Sequence, residues 1–247
     1  TGEPYYSTFP ALTIRDMVEA HRILAEHLGI GRIHALVGSS VGGFQALQWA
    51  VDEPERFRHL AVIATAPKAS PWTIAIDETQ RMAIMADATW GEKRPDAAHA
   101  GLAAARAIGL LSYRGPEGYN ISQQGITVTG AHRACTYQQH QGEKLLKRFN
   151  AYSYVAILDA FDTHDVGRGH GSVEAALGRI TCPAMAIGLG TDIVFTPAEM
   201  RGLARLLPRA EYRQIESPFG HDGFLVEHRR LNEILRPFII DSLTTNG

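Results

Sequence analysis

A serine lies between glycines in Gly38-Ser39-Ser40-Val41-Gly42, after a short apolar run and before a stretch of helical spacing. In that setting G-x-S-x-G is the sharp turn that lifts a serine hydroxyl above the edge of a sheet, where it can attack a carbonyl. The strained turn demands small neighbours, so a side chain at Gly38 or Gly42 is expected to strike the adjoining strand or helix. The helix that follows opens with the backbone N–H of Val41, aimed where an oxyanion would develop. A serine hydroxyl is a poor nucleophile without a base, and the base needs an orienting acid. Two downstream loops offer both in chain order: Gly190-Thr191-Asp192 after an apolar run ending at Leu189, and Gly220-His221-Asp222 after one ending near Ile215. Taken singly, these three sites also fit a plain glycine turn, a turn-capping aspartate and a loop histidine. Their order and their common position after strands make Ser40, Asp192 and His221 the expected triad, with Val41 as oxyanion donor.

The elements that must position these groups alternate strand and helix. Thr13 to Leu28 has helical spacing, with Thr13 and Asp16 set as a capping box, Met17, Ile23, Leu24 and Leu28 on or near one face, and Gly29 as terminator. Ile33–Val37 and Leu60–Ala64 read as buried strands around the Phe44–Val51 helix, a right-handed parallel crossover. From Ser70 to Phe161 the pattern is helical (70–88, 97–111, 136–149 and 153–161), with 116–130 irregular apart from a weak strand run at Gly125–Val128. Strand and helix then alternate again: Ala184–Leu189, Ala198–Leu207, Glu211–Ile215 and Val226–Ser242. The expected architecture is an α/β-hydrolase core over 1–69 and 181–247, with a helical cap or lid inserted at 70–180.

Composition narrows the class. With 247 residues, 45% of them hydrophobic, the chain can bury a substantial core. A formal net charge of −2 argues against nucleic acid or an anionic membrane as partner, and no apolar run is long enough to span a bilayer. No signal peptide opens the sequence, and the two cysteines, Cys135 and Cys182, suit idle thiols in a reducing, cytoplasmic setting. His164, Asp165 and His170 lack a third ligand at metal-binding spacing, so no metal site is expected.

Several segments taken together resemble the homoserine O-acetyltransferase family. They are Phe9-Pro10-Ala11-Leu12-Thr13-Ile14-Arg15-Asp16-Met17-Val18, Gly38 to Trp49, the run from Ala105 to Arg114, Tyr137 to Phe149, Thr163-His164-Asp165-Val166-Gly167-Arg168-Gly169, and the run from Ser217 to Phe224. The resemblance covers essentially the whole chain in order. It implies an acyl-enzyme on Ser40 formed from acetyl-CoA, which is a substrate and not a bound cofactor, followed by transfer of acetyl to the hydroxyl of homoserine or a similar amino alcohol. Arg106 and Tyr113 match residues of that family's acceptor pocket, and Asp222 matches an aspartate suited to an acceptor ammonium. The chemistry agrees, because an amino acid presents a carboxylate and an ammonium, and Arg106 and Tyr113 lie about two helical turns apart on one face. A homodimer is expected on the same grounds.

Two departures bear on this expectation. The elbow carries Ser39 and Val41 where the family usually has glycine and methionine, and Leu158 stands where a polar residue is common. Both changes favour a less polar acceptor or simple hydrolysis, so a carboxylesterase with the same triad is the alternative. A third possibility, a binding module with a dead site, conflicts with the intact Ser, Asp and His. Only four convincing strands are legible, and the resembled fold places further strands before the nucleophile strand. The amino-terminal strands are therefore expected to be absent from this sequence, to be supplied by a complementing amino-terminal segment or chain. The edge beside Ile33–Val37 is then expected to be either paired with that polypeptide or bare and hydrophobic.

Overall fold

A computed structural model describes residues 2–244. Its centre is a parallel sheet of four strands, β1 (Leu36–Ser39), β2 (Leu60–Ile63), β3 (Ala184–Leu189) and β4 (Ala210–Ile215), in the spatial order β1-β2-β3-β4. Both inner strands are buried along their whole length, as parallel strands covered on two faces must be. Their side chains alternate between two separate cores. Leu60, Val62, Ala184 and Ala186 face helices α1 (Ile14–His27), α2 (Val41–Asp52), α8 (Val173–Leu177) and α9 (Pro197–Leu206). Ala61, Ile63, Met185, Ile187 and Leu189 face α11 (His228–Thr244), through Leu231, Ile234, Leu235 and Phe238.

The connection from β2 to β3 carries α3 (Pro71–Met85), α4 (His99–Tyr113), α5 (Pro116–Gln123), α6 (Arg133–Leu146) and α7 (Ala151–Asp162) before α8. These helices have a core of their own in Ile84, Leu102, Ala105, Leu145 and Ala151. The small residues of α4 allow close packing: a Cβ on Gly101 would lie 2.6 Å from the carbonyl of Ala83 on α3. A further cluster of Ile14, Phe44, Val194 and Phe195, joined by Val41, Tyr113 and Phe161, seals this layer onto the sheet beneath the serine.

Several sequence expectations need correction. Residues 116–123, expected to be irregular, form α5, begun by Pro116 at a position where its missing N–H costs nothing. Gly125–Val128 is not a strand; among the described residues it makes an isolated bridge between Ile126 and His132. The nucleophile strand starts three residues late: Ile33 makes only a bridge to Phe57, and the next residue, His34, turns its Nε2 to the carbonyl of Ile239, 2.8 Å away. Helix α1 has the expected capping box, but its buried stripe is Ile14, Val18 and Ala25, and Ile23, Leu24 and Leu28 are exposed. Val18 and Ala25 join α2 and the first sheet face, and Ile14 joins Phe44 of α2 in the cluster beneath the serine.

Strand β1 is an edge. Its side away from β2 meets no strand among the described residues, and Val37 is 45% exposed there.

Candidate active site

The sequence around Ser40 folds as the elbow requires. Ser40 has φ 52° and ψ −126°, a conformation that an L-residue adopts at a cost and that nucleophile elbows exploit. The turn is held on both sides: the N–H of Ser40 donates to the carbonyl of Ile63 at 3.0 Å, and the hydroxyl of Thr65 donates to the carbonyl of Ser40 at 2.8 Å. The glycine requirement differs from the expectation. A Cβ at Gly38 would sit 2.2 Å from the carbonyl oxygen of Gly42, and one at Gly43 would sit 2.5 Å from the side chain of Thr65, whereas Gly42 has open space among the described residues. The small residues are needed where α2 crosses its own strand and where it touches the turn after β2.

The three expected triad groups meet. Ser40 Oγ lies 2.9 Å from His221 Nε2, and Asp192 Oδ2 lies 2.8 Å from His221 Nδ1. Asp192 is almost fully buried, and its other oxygen accepts the N–H groups of Val194 at 2.8 Å and Phe195 at 3.0 Å. A carboxylate so fixed sets the tautomer, with Nδ1–H donating to Asp192 and Nε2 free to accept the serine proton. The N–H of Val41 opens α2 and so has no partner within that helix.

Residues that sequence reasoning did not single out complete the positioning. The hydroxyl of Thr191 donates to the carbonyl of Ser217 at 2.7 Å and accepts the N–H of Gly220 at 3.0 Å, tying the acid loop to the histidine loop. Gly220 has φ +65°, and a Cβ there would lie 2.5 Å from the backbone nitrogen of Gly115, so the α4–α5 turn presses on the residue before His221. His164 is buried against Phe44, ring centroids 4.5 Å apart, with its pKa pushed down to about 3 by burial. It is a packed neutral ring, and no group of His, Cys, Asp or Glu among the described residues is arranged to hold a metal.

Above Ser40 and His221 opens a cavity of roughly 140 Å³, room for a few molecules of water size at ~30 Å³ each. Its walls are mainly apolar, with Val41, Ile76, Ile157, Leu158, Phe161 and Val194, and its polar groups besides the serine and histidine are Thr73, Asp77 and Tyr113. Of the three expected acceptor residues, Tyr113 alone lines this cavity, its ring 5.8 Å from that of His221 and its hydroxyl pushed up to about 12 by burial and then by Asp77. Arg106 is its neighbour, the guanidinium 6.0 Å from the centre of the Tyr113 ring, and it forms no ion pair among the described residues. Asp222 is already paired: Arg114 Nε lies 3.2 Å from its Oδ2. Burial nevertheless holds the Asp222 carboxyl above the usual range, against the pull of Arg114. Asp77 and Thr73 carried no signal in the sequence, because nothing in a helical run reveals which face will roof a site on another element.

A parallel sheet with a serine elbow, acid and histidine on loops after successive strands, and an inserted helical layer over the serine, defines a hydrolase-type core. The alpha/beta hydrolase fold family matches residues 1–228. Homoserine O-acetyltransferase of Cyclobacterium marinum is 43% identical over 98% of this chain and 69% of its own length, and that of Thermus thermophilus is 42% identical over 97% and 61%. The crystal structure of homoserine O-acetyltransferase from Bacillus anthracis superimposes with a TM-score of 0.89 at 22% identity, covering 97% of this chain and 68% of that one. An esterase structure superimposes with a TM-score of 0.88, also at 22% identity, covering 96% and 69%, so the overall fold does not separate transfer from hydrolysis. The chain belongs to the α/β-hydrolase fold family and, within it, to the homoserine O-acetyltransferases. It spans 61% to 69% of the length of these relatives.

Proposed function

We propose that this polypeptide provides the catalytic centre of an acetyltransferase that moves acetyl from acetyl-CoA to the hydroxyl of homoserine or a closely similar amino alcohol. Ser40 gives its proton to His221 Nε2 while its Oγ attacks the thioester carbonyl. The resulting oxyanion is met by the N–H of Val41, where one such donor is worth ~10²–10³ in rate. Collapse expels the CoA thiolate, which takes the proton from His221, and leaves acetyl on Ser40. The acceptor hydroxyl then passes its proton to His221 and attacks the acetyl carbonyl, and Ser40 recovers a proton as the O-acetyl product leaves. Asp192 orients the imidazole and stabilises its charged form through both steps.

The observation that carries acceptor recognition is Arg106. A half-buried guanidinium without an acidic partner among the described residues, next to the tyrosine that lines the cavity, suits the carboxylate of an amino acid. The apolar walls, Leu158 included, suit a short acyl group and exclude water from it. We also propose that a complementing amino-terminal segment pairs with the open edge of β1; the unpaired backbone there supports it.

The test is a paired assay on one preparation. Transfer should show a larger kcat/KM with acetyl-CoA and homoserine than hydrolysis shows with a short-chain aryl ester. Ester cleavage without transfer would establish the carboxylesterase instead.

A further inference from the structure

The end of the sheet away from Ser40 carries a second hollow, of roughly 640 Å³. That is the size of a small-molecule site, about 300–1,000 Å³. It opens at the amino-terminal ends of the strands. His34 stands two residues before β1, Arg58 and His59 lead into β2, Arg209 immediately precedes β4, and all of them line the hollow together with Arg32. Ser40 follows the last residue of β1, so the length of the sheet, ~13–20 Å of strand, separates the two sites.

Arginines gathered in a concavity repel one another unless anions stand between them. Arg22 and Arg56, elsewhere on the surface, are both paired with Glu53. Arg32, Arg58 and Arg209 form no ion pair among the described residues, and the carboxylate in the wall of the hollow is that of Glu55. Arg209 donates from Nη1 to the carbonyl of Thr181 at 3.2 Å, and the rest of its fork has no partner among the described residues. His59 adds an independent observation. It is only 7% exposed, its Nδ1 donates to the carbonyl of His34 at 3.2 Å, and its Nε2 has no partner among the described residues. As an imidazolium it would donate from Nε2 to a phosphate oxygen; as a neutral ring it would accept from a protonated one.

We propose that this hollow is a binding site for an anion bearing a diphosphate group, separate from the reaction centre. Guanidinium forks match phosphate oxygens in pairs. A diphosphate has both the charge and the length to meet arginines delivered by different strand ends, whereas a single carboxylate has neither.

The test is calorimetric titration of this polypeptide with inorganic pyrophosphate. At an ionic strength of about 0.15 M, the Kd should be about 1 mM or tighter. Arg58→Gln and Arg209→Gln should each weaken binding about tenfold or more, the loss expected for a charge-assisted pair. Both side chains are exposed, so the circular dichroism of the variants should remain that of the parent. Pyrophosphate should shift the ring signals of His59 in nuclear magnetic resonance spectra. Those of His221, just before α10 (Gly223–Val226) at the other end of the sheet, should stay fixed. A parallel titration with adenosine diphosphate identifies the source of the group: tighter binding than pyrophosphate assigns the site to a nucleotide, and equal binding assigns it to the diphosphate alone. Absence of pyrophosphate binding at about 10 mM would overturn the proposal. So would binding that survives both substitutions, or that moves His221 and leaves His59 unmoved.

Discussion

The hydroxyl of Thr191 donates to the backbone carbonyl of Ser217 across 2.7 Å, and so the loop that carries the acid of the triad is fastened to the loop that carries its base. The same oxygen accepts the N–H of Gly220, the residue before His221. Asp192 and His221, in direct contact at 2.8 Å, are thus held in place also by a clasp that neither of them makes. Thr191→Val keeps the shape and removes both bonds. It should lower kcat about 10- to 100-fold, since small misplacements of catalytic groups carry penalties of that order. The far-ultraviolet circular dichroism and the KM for acetyl-CoA should remain those of the parent.

Ser40→Ala should abolish acetyl transfer and ester cleavage alike, by about 10⁴ or more in kcat. Among the described residues, Ser40 Oγ is the hydroxyl within hydrogen-bond reach of His221 Nε2. Single-turnover release of CoA is the measurement, and a surviving burst in the variant would contradict the assignment of Ser40.

Arg106→Ala should raise the KM for homoserine by about 10- to 150-fold, the equivalent of losing a hydrogen-bonded charge. Acetylation of Ser40 by acetyl-CoA should be nearly intact, because the acetyl group carries no carboxylate for the guanidinium to pair with. Steady-state kinetics with homoserine varied at saturating acetyl-CoA give the answer directly.

How much of this was legible beforehand follows from how local each signal is. The elbow could be read because its demands are short-range: a strained serine, a glycine at 38 and a helix start are all written within six residues. Asp192 and His221 could be read because parallel strands deliver their following loops to one edge. The clasp through Thr191 could not, since its partner lies 26 residues on and a threonine hydroxyl has many uses. Asp77 was hidden for the same reason, being one carboxyl on an amphipathic helix until α7 and α4 close around it. The α1 stripe was misjudged because Ile23, Leu24 and Leu28 are as apolar as Ile14 and Val18, and only the placement of α2 decides which set is covered.

The Asp77–Asp162 pair gives stability a definite pH dependence. In the unfolded chain Asp77 titrates near 3.8, whereas in the fold burial and the neighbouring Asp162 hold it up at about 8. Between those values the folded chain keeps a proton that the unfolded chain has lost, so unfolding gains on folding as pH rises. Stability should decline from about pH 4 to about pH 8 on account of this group and level off above. Burial raises the Asp162 carboxyl as well. Asp77→Asn deletes the Asp77 part. Its melting temperature relative to the parent should therefore climb from pH 4 to pH 8, as thermal melts across that range will show; a flat difference would mean that Asp77 is ionised throughout.

The outer edge of β1 is unpaired among the described residues. Leu36 and Ser40 send their N–H groups to the carbonyls of His59 and Ile63 on the β2 side, at 2.9 and 3.0 Å. Alternation along a strand puts Gly38 with them and turns the N–H groups of Val37 and Ser39 the other way. There they meet no strand among the described residues, and the side chain of Val37 is left 45% exposed. In a preparation of this polypeptide alone, the amides of Val37 and Ser39 should exchange with deuterium much faster than those of Leu36 and Gly38. Addition of an amino-terminal polypeptide that supplies a parallel strand should slow Val37 and Ser39 selectively, leave Leu36 unchanged, and raise kcat by steadying the strand that carries Ser40. Protection of Val37 and Ser39 before any such addition would show that the edge is already covered, and the proposed complementation would then be wrong.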